Sequence, residues 1–283
     1  MSSVFKALQQ FEVERRGIAA VGNEPLRPLD LIAESVEPDD SAPAQFASLQ
    51  PPLALENRIG GMLGDNSIGA EKFRVLSTRL RRMQQERQVR KVVLTSSGPG
   101  EGKSLIAANL AATLGRSQRV LLLEGDLRRP ALGPLFGFSE LKGLSDYLRG
   151  AEPLGRVVYR LEPSQLHLLP AGTTVQDPMQ LLESRRLADL INDFATSFDW
   201  IIIDSPPLVP LADTTVLVRL ADGLLLVVRG QKTSKRLLQK AAESLNGDPL
   251  LGVVLNEFPE KGQEIQPQYC QLQGGGDQHK ENS

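Results

Sequence analysis

Cysteine is almost absent from this 283-residue chain. Cys270 stands alone, so no internal disulfide can form, and no Cys/His spacing of the zinc type occurs. Aromatic residues are only 5% of the total, and acids and bases nearly cancel, leaving a formal net charge of -2. That balance supplies no global attraction to nucleic acid or to an anionic membrane, so no nucleic-acid partner is expected. No secretory leader is evident, and no apolar run is long enough to span a bilayer. The expected compartment is the cytoplasm. Internal repeats are missing as well.

What is present is unevenly distributed. Val4, Phe5, Leu8 and Phe11 recur at helical spacing with Lys6, Gln9, Gln10 and Glu12 between them, which predicts a short amphipathic helix over 3–16. A helix this short needs a surface to dock on, either a partner's or its own domain's. From Val21 to about Leu63 the chain is rich in proline, alanine and acids, including Glu37-Pro38-Asp39-Asp40, and reads as a flexible linker. Residues 1–63 therefore form a helix-plus-linker unit, 64–260 one folded domain, and 261–283 a disordered tail containing Gly274-Gly275-Gly276. The hydrophobic fraction of 41% suffices for a sizeable core after Glu71.

The densest chemical signal runs from Val92 to Ser104, VVLTSSGPGEGKS. Aliphatic residues lead into a glycine-bearing loop, and from Ser104 on Leu105, Ile106, Ala107, Ala108, Leu110, Ala111, Ala112 and Leu114 follow a helical pattern. Strand, loop and helix in that order make a phosphate-cradling P-loop, with Ser97 where the pattern has its first glycine. Ser97, Gly98, Pro99, Gly100, Glu101, Gly102, Lys103, Ser104 and Leu105 are thus expected to bind nucleotide through loop N–H groups and the helix N-terminus. Lys103 would reach the terminal phosphates and Ser104 would hold Mg²⁺. No guanine-reading Asn-Lys-x-Asp sequence occurs, so the expected nucleotide is ATP.

Two further aliphatic runs end in acids: Val120-Leu121-Leu122-Leu123-Glu124-Gly125-Asp126-Leu127-Arg128, and Trp200-Ile201-Ile202-Ile203-Asp204 before Ser205-Pro206-Pro207. Continuous rather than alternating hydrophobics imply strands buried on both faces of a parallel sheet. Ligands bind outside the carboxyl ends of such strands, where Lys103, Asp126 and Asp204 would converge. Phosphoryl transfer needs positioning and charge stabilisation above all, which assigns catalytic roles to Lys103, Glu124, Asp126 and Asp204. Asp126 and Asp204 would hold Mg²⁺ with Ser104, and Glu124 or Asp126 would align the acceptor oxygen, either a hydroxyl or water. Arg128 lies beside this site, its fork suited to phosphate or to a carboxylate. Asn256 contacts the base or simply ends its strand in a turn. The expected fold is α/β, a mostly parallel sheet flanked by helices, with strands near 91–96, 119–124, 200–204, 223–229 and 252–256.

These residues resemble the bacterial tyrosine kinases (BY-kinases) of capsule and exopolysaccharide biosynthesis, relatives of the Par/Min/Mrp P-loop ATPases. The resemblance runs from about Glu71 to about Asn256. It includes Lys142-Gly143-Leu144-Ser145-Asp146-Tyr147-Leu148, Leu169-Pro170-Ala171-Gly172, Leu181-Leu182-Glu183-Ser184, Asp213, Asp222-Gly223 and Val227-Val228-Arg229. It implies a Mg-ATP-dependent tyrosine autokinase, peripheral to the inner face of the plasma membrane through a chain-length-determinant partner (a polysaccharide co-polymerase), and assembled as a homo-oligomer. An ATPase switch and a non-catalytic nucleotide-binding subunit are the alternatives on the same fold.

Three departures accompany the resemblance. Glu124 stands where the family has aspartate, and Ser77 replaces the second arginine of the ring-forming helix that Glu71 and Arg74 otherwise match. Arg79, Arg81 and Arg82 lie close by and are candidates to substitute, although Arg81 and Arg82 also read as a solvated helix face. In place of a tyrosine cluster the tail offers only Tyr269 as phospho-acceptor, Tyr147 reading as a packed residue. The signature lysine of the positioning ATPases is absent, its place taken by Gly98.

Overall fold

The computed structural model describes residues 46–51, 59, 67–209, 213–230, 232–245, 247 and 249–257. The expected helix over 3–16, most of the linker, Cys270 and Tyr269 with the tail lie outside the described residues. Eight strands form one sheet: β1 (Ala47–Leu49), β2 (Lys91–Ser96), β3 (Val120–Glu124), β4 (Tyr159–Leu161), β5 (Leu166–Leu169), β6 (Trp200–Asp204), β7 (Gly223–Arg229) and β8 (Leu250–Asn256). Their spatial order is β1-β4-β5-β3-β6-β2-β7-β8, every pairing parallel except β4 with β5.

All five expected strands form, two with ends shifted by one or two residues. Three more were not foreseen. β1 is three residues long and sits in the stretch read as linker, where it hydrogen-bonds along β4 as an edge strand. β4 and β5 are three and four residues long, and such runs carry too little periodicity to be told from loop.

Among the described residues, eight α-helices flank the sheet: α1 (Ile68–Arg87), α2 (Lys103–Leu114), α3 (Leu132–Leu135), α4 (Leu144–Leu148), α5 (Met179–Leu182), α6 (Arg185–Ser197), α7 (Asp213–Arg219) and α8 (Lys235–Ser244). Serines begin three of them: the Ser67, Ser184 and Ser234 hydroxyls each accept a first-turn N–H, satisfying a donor the helix itself cannot. In α6, Leu187, Leu190, Ile191 and Phe194 are buried at i, i+3, i+4 and i+7 against one sheet face. By contrast α2 is apolar almost all round and buried under the other face, as a helix with no solvent side must be.

Chain order and sheet order diverge at β2. The chain leaves β2 for β3 on one side, and later passes from β6 through α7 to β7 on the other. This reversal places the loop after β2 at a topological switch point, the position at which open α/β sheets bind ligands.

Candidate nucleotide and phosphoryl-transfer site

The P-loop closes between β2 and α2 in the expected order. Gly102 has φ +88°, and a Cβ there would meet the Asn256 side chain at 2.2 Å, so only glycine serves. Asn256 donates to the Glu101 carbonyl at 2.9 Å. It thus fastens the loop from the end of β8, a role beyond the base contact and the turn considered from sequence.

The Glu101 side chain turns away from the phosphate cradle. The carboxylate is buried, accepting the Ser97 N–H at 3.0 Å and the Thr233 hydroxyl at 2.7 Å. Arg229 donates to the Gly100 carbonyl at 3.0 Å while pairing with Glu257 at 2.6 Å. Sequence reasoning missed Thr233 and the lacing role of Arg229; no local pattern marks a residue that acts over a separation of 132 positions.

Lys103 Nζ lies 3.3 Å from Asp126 and 3.6 Å from Asp204, so the loop lysine and the two strand-end carboxylates do converge. β3 and β6 place the acids side by side, Glu124 registering opposite Asp204. Ser205 and Thr95 lock the end of β6 to β2, the Ser205 N–H and hydroxyl donating to the Leu94 carbonyl and the Thr95 hydroxyl to the Pro206 carbonyl. Burial pushes the Asp204 carboxyl above the usual carboxylate range, against the pull of Lys103. Both Asp204 carboxylate oxygens are buried and make no hydrogen bond, Lys103 at 3.6 Å being an ion-pair contact only. A buried carboxylate left in that state calls for a cation. Mg²⁺ fits, since it is held through one or two carboxylates, phosphates and water rather than a full protein cage. Accordingly, no group of three or more His, Cys, Asp or Glu arranged for a metal occurs among the described residues.

Glu124 is placed differently from the other acids. Its Oε1 accepts the N–H groups of Ala131 and Leu132, the latter at 2.7 Å, and its Oε2 accepts that of Ala171 at 2.9 Å. The longer side chain therefore ties β3 to the segments after Arg129 and Leu169. Burial pushes its carboxyl up to about 7, outweighing the lowering by these three donors.

Arg128 is engaged with a carboxylate: it bonds Asp213 at 2.8 Å and the Gln176 carbonyl. Of the two partners open to it in the sequence, phosphate and carboxylate, the structure shows the second. Tyr147 packs under Arg186, 4.2 Å from ring centroid to guanidinium carbon, and the buried Tyr159 hydroxyl donates to the Lys142 carbonyl. On α1, Glu71 and Arg74 pair with each other at 2.6 Å and Ser77 is buried. Arg82 faces solvent and pairs with Glu86, whereas Arg81 is only partly exposed and reaches Gln118 and Ser117, which departs from the solvated face read for both.

With this geometry in hand, comparison with known proteins is informative. A sequence model of the cellulose biosynthesis protein BcsQ family, P-loop ATPases related to ParA and MinD, matches residues 89–266. Tyrosine-protein kinase YwqD of Bacillus subtilis is 32% identical over 205 residues, covering 71% of this chain and 86% of that protein. The chain belongs to the bacterial tyrosine-kinase family. Among solved structures, the kinase domain of the Escherichia coli tyrosine kinase ETK is similar with a TM-score of 0.68 and 25% identity, over 77% of this chain and 92% of that one. The succinoglycan biosynthesis transport protein ExoP of Rhizobium meliloti is 34% identical over 197 residues, which are 68% of this chain but 25% of that protein. The fold also accounts for the motifs Lys142–Leu148 and Leu169–Gly172, which lie outside the P-loop and the acid-ended strands. Gly143 and Gly172 abut so closely that a Cβ on Gly143 would lie 2.0 Å from the Pro170 carbonyl oxygen, and Asp146 accepts from Gly143 N and Thr173.

Proposed function

We propose that this BY-kinase domain transfers the γ-phosphoryl group of Mg-ATP to tyrosine and so regulates the synthesis and export of a surface polysaccharide. The observation carrying this reading is the convergence of Lys103, Asp126 and the buried Asp204, whose carboxylate makes no hydrogen bond, at the switch point of the sheet. Lys103 meets the charge that develops on the transferring group, and loop N–H groups hold the remaining phosphate oxygens. Ser104, Asp126 and Asp204 would hold Mg²⁺, which would neutralise phosphate charge there. Glu124 and Asp126 flank the acceptor oxygen. The similarity to the BcsQ family and to ExoP supports the link to polysaccharide.

ExoP is much longer than the matched portion, and among the described residues here no helix is long and apolar enough to cross a membrane. The partner proposed is a separate chain-length-determinant protein, bringing the domain to the inner face of the plasma membrane. α1 presents exposed Ile68 and Val75 beside Glu71 and Arg74, a face suited to a second copy. An ATPase switch is the second reading, favoured by Tyr147 and Tyr159 both being engaged within the fold, which leaves Tyr269 as the one remaining tyrosine.

Peptide mass spectrometry after incubation with Mg-ATP and the partner's cytoplasmic segment tests the two. Phosphate on Tyr269 in wild type but not in Lys103→Met establishes the autokinase. Phosphate release without phosphotyrosine establishes the switch.

A further inference from the structure

The sheet ends in two unlike edges. β1 is three residues long and so a blunt edge, whereas β8 runs for seven residues, from Leu250 to Asn256, without a charge or a proline. Its apolar side chains continue rows that are buried on β7. Leu224, Leu226 and Val228 lie in the core under one face, yet their register partners Leu250, Val253 and Leu255 are 48%, 51% and 58% exposed. With Leu238 of α8, whose Ala241 joins the same core, they make four of the six large hydrophobic residues exposed among the described residues; the other two are Ile68 and Val75 on α1. An uncovered apolar edge of this length is a template for a further strand.

The backbone selects the strand that fits. The Asn256 carbonyl accepts the Gly230 N–H at 2.7 Å, so Asn256 turns its polar groups toward β7. That direction alternates along a strand, so the N–H and C=O groups of Leu255 and Val253 point away from β7 and out from the edge. Two outward residues on either side of an inward one, Val254, form a self-complementary unit. About a two-fold axis at Val254, an antiparallel second copy sets its Leu255 opposite Val253 and its Val253 opposite Leu255, which closes four N–H···O=C bonds. The same pairing brings valine against leucine on the uncovered face and opposes no like charges. The chain's own tail serves less well: an antiparallel return that sets Ile265 against Leu255 places Pro267, which has no N–H, against Val253.

We infer that β8 is an interface between two copies of this chain, joined edge to edge in antiparallel register about Val254 into one continuous sheet. The edge shares no element with the α1 face described above. The inference rests on strand geometry and not on the kinase reading.

The test uses the full chain over a wide range of concentration, with and without Val75→Lys so that contact through α1 is told apart. Val253→Lys and Leu255→Lys change exposed side chains and leave the core intact. In sedimentation equilibrium each is expected to raise the dimer dissociation constant at least about tenfold. Hydrogen exchange of the peptide 250–257 is expected to slow as concentration rises in the parent and not in these variants. The register is read by oxidation with copper phenanthroline in a Cys270→Ser background. Residue 254 faces itself across the axis as a non-hydrogen-bonded pair, about 4.5 Å between Cα atoms, so Val254→Cys is expected to cross-link into a dimer. Val253→Cys meets its own counterpart only diagonally, at about 7–8 Å, and is expected to cross-link at least about tenfold more slowly.

Monomer at every concentration, or a dimer that both lysines leave unchanged, would overturn the inference. So would slow exchange of 250–257 in a monomer, because another segment of the same chain would then occupy the edge. A lysine-sensitive dimer in which Val253→Cys cross-links as fast as Val254→Cys would overturn the register.

Discussion

Glu101 is a carboxylate buried inside a loop built to hold anions, and its bonds explain why it is tolerated there. It accepts from Ser97 N and from Thr233, so it braces the loop from behind and leaves the other N–H groups free for phosphate. Thr233→Val leaves one buried carboxylate oxygen without its donor, a loss of about 1 to 3 kcal/mol. Because the loop binds ground and transition states alike, KM for ATP should rise about five- to tenfold while kcat stays within about twofold, as steady-state kinetics will read. Arg128 and Asp213 give a second case. Asp213 is buried and its partner is 30% exposed, so Asp213→Ala should lower stability by about 1 to 3 kcal/mol in urea titration, and restoring an acceptor with Asn should recover part of it. The carboxylates and the lysine of the site were readable in the sequence, because each sits at the end of an aliphatic run or in a fixed loop pattern. Thr233 and Asn256 as loop supports were not, since their chemistry depends on residues far away in the chain.

Elements rather than residues hold the walls of the cleft over the ends of β3 and β5. The turn before α4 and the segment after β5 meet at Gly143 and Gly172, where the Leu144 and Ser145 N–H groups donate to the Pro170 and Ala171 carbonyls at 2.8 and 2.9 Å. Gly143→Ala would drive a methyl group to 2.0 Å from the Pro170 oxygen, and backbone cannot yield as a flexible side chain would. A loss of at least about 3 kcal/mol is expected, seen as a lower urea midpoint. Phosphotyrosine formation should fall with it. The long helices and central strands were legible because their periodicity extends over enough residues. β1, β4 and β5 were not, because three or four residues form strands only when a neighbouring strand offers its hydrogen bonds.

For the molecule as a whole, acid stability is tied to His167 in β5. It is buried between Phe46 and Phe198, with ring centroids 5.7 and 5.1 Å away, and burial pulls it down to about 4. Its unfolded value is about 6.5, so the unfolded chain takes the proton first. Stability contributed by the neutral ring is fully present above pH 6.5 and is lost as pH falls toward 4. Urea midpoints measured across that window should decline by up to about 1 kcal/mol per pH unit, and His167→Phe should flatten the decline. From the sequence alone came the P-loop, the two acid-ended strands, the α/β class and the family, because hydrophobic runs and loop glycines are local consequences of backbone geometry. Tertiary structure decided that Arg128 pairs with Asp213, that the Glu101 side chain braces the loop, that Glu124 joins three segments, and that a cleft lies next to the phosphate site. Those outcomes depend on which strands become neighbours, and in a sheet ordered β1-β4-β5-β3-β6-β2-β7-β8 neighbours in space are seldom neighbours in the chain.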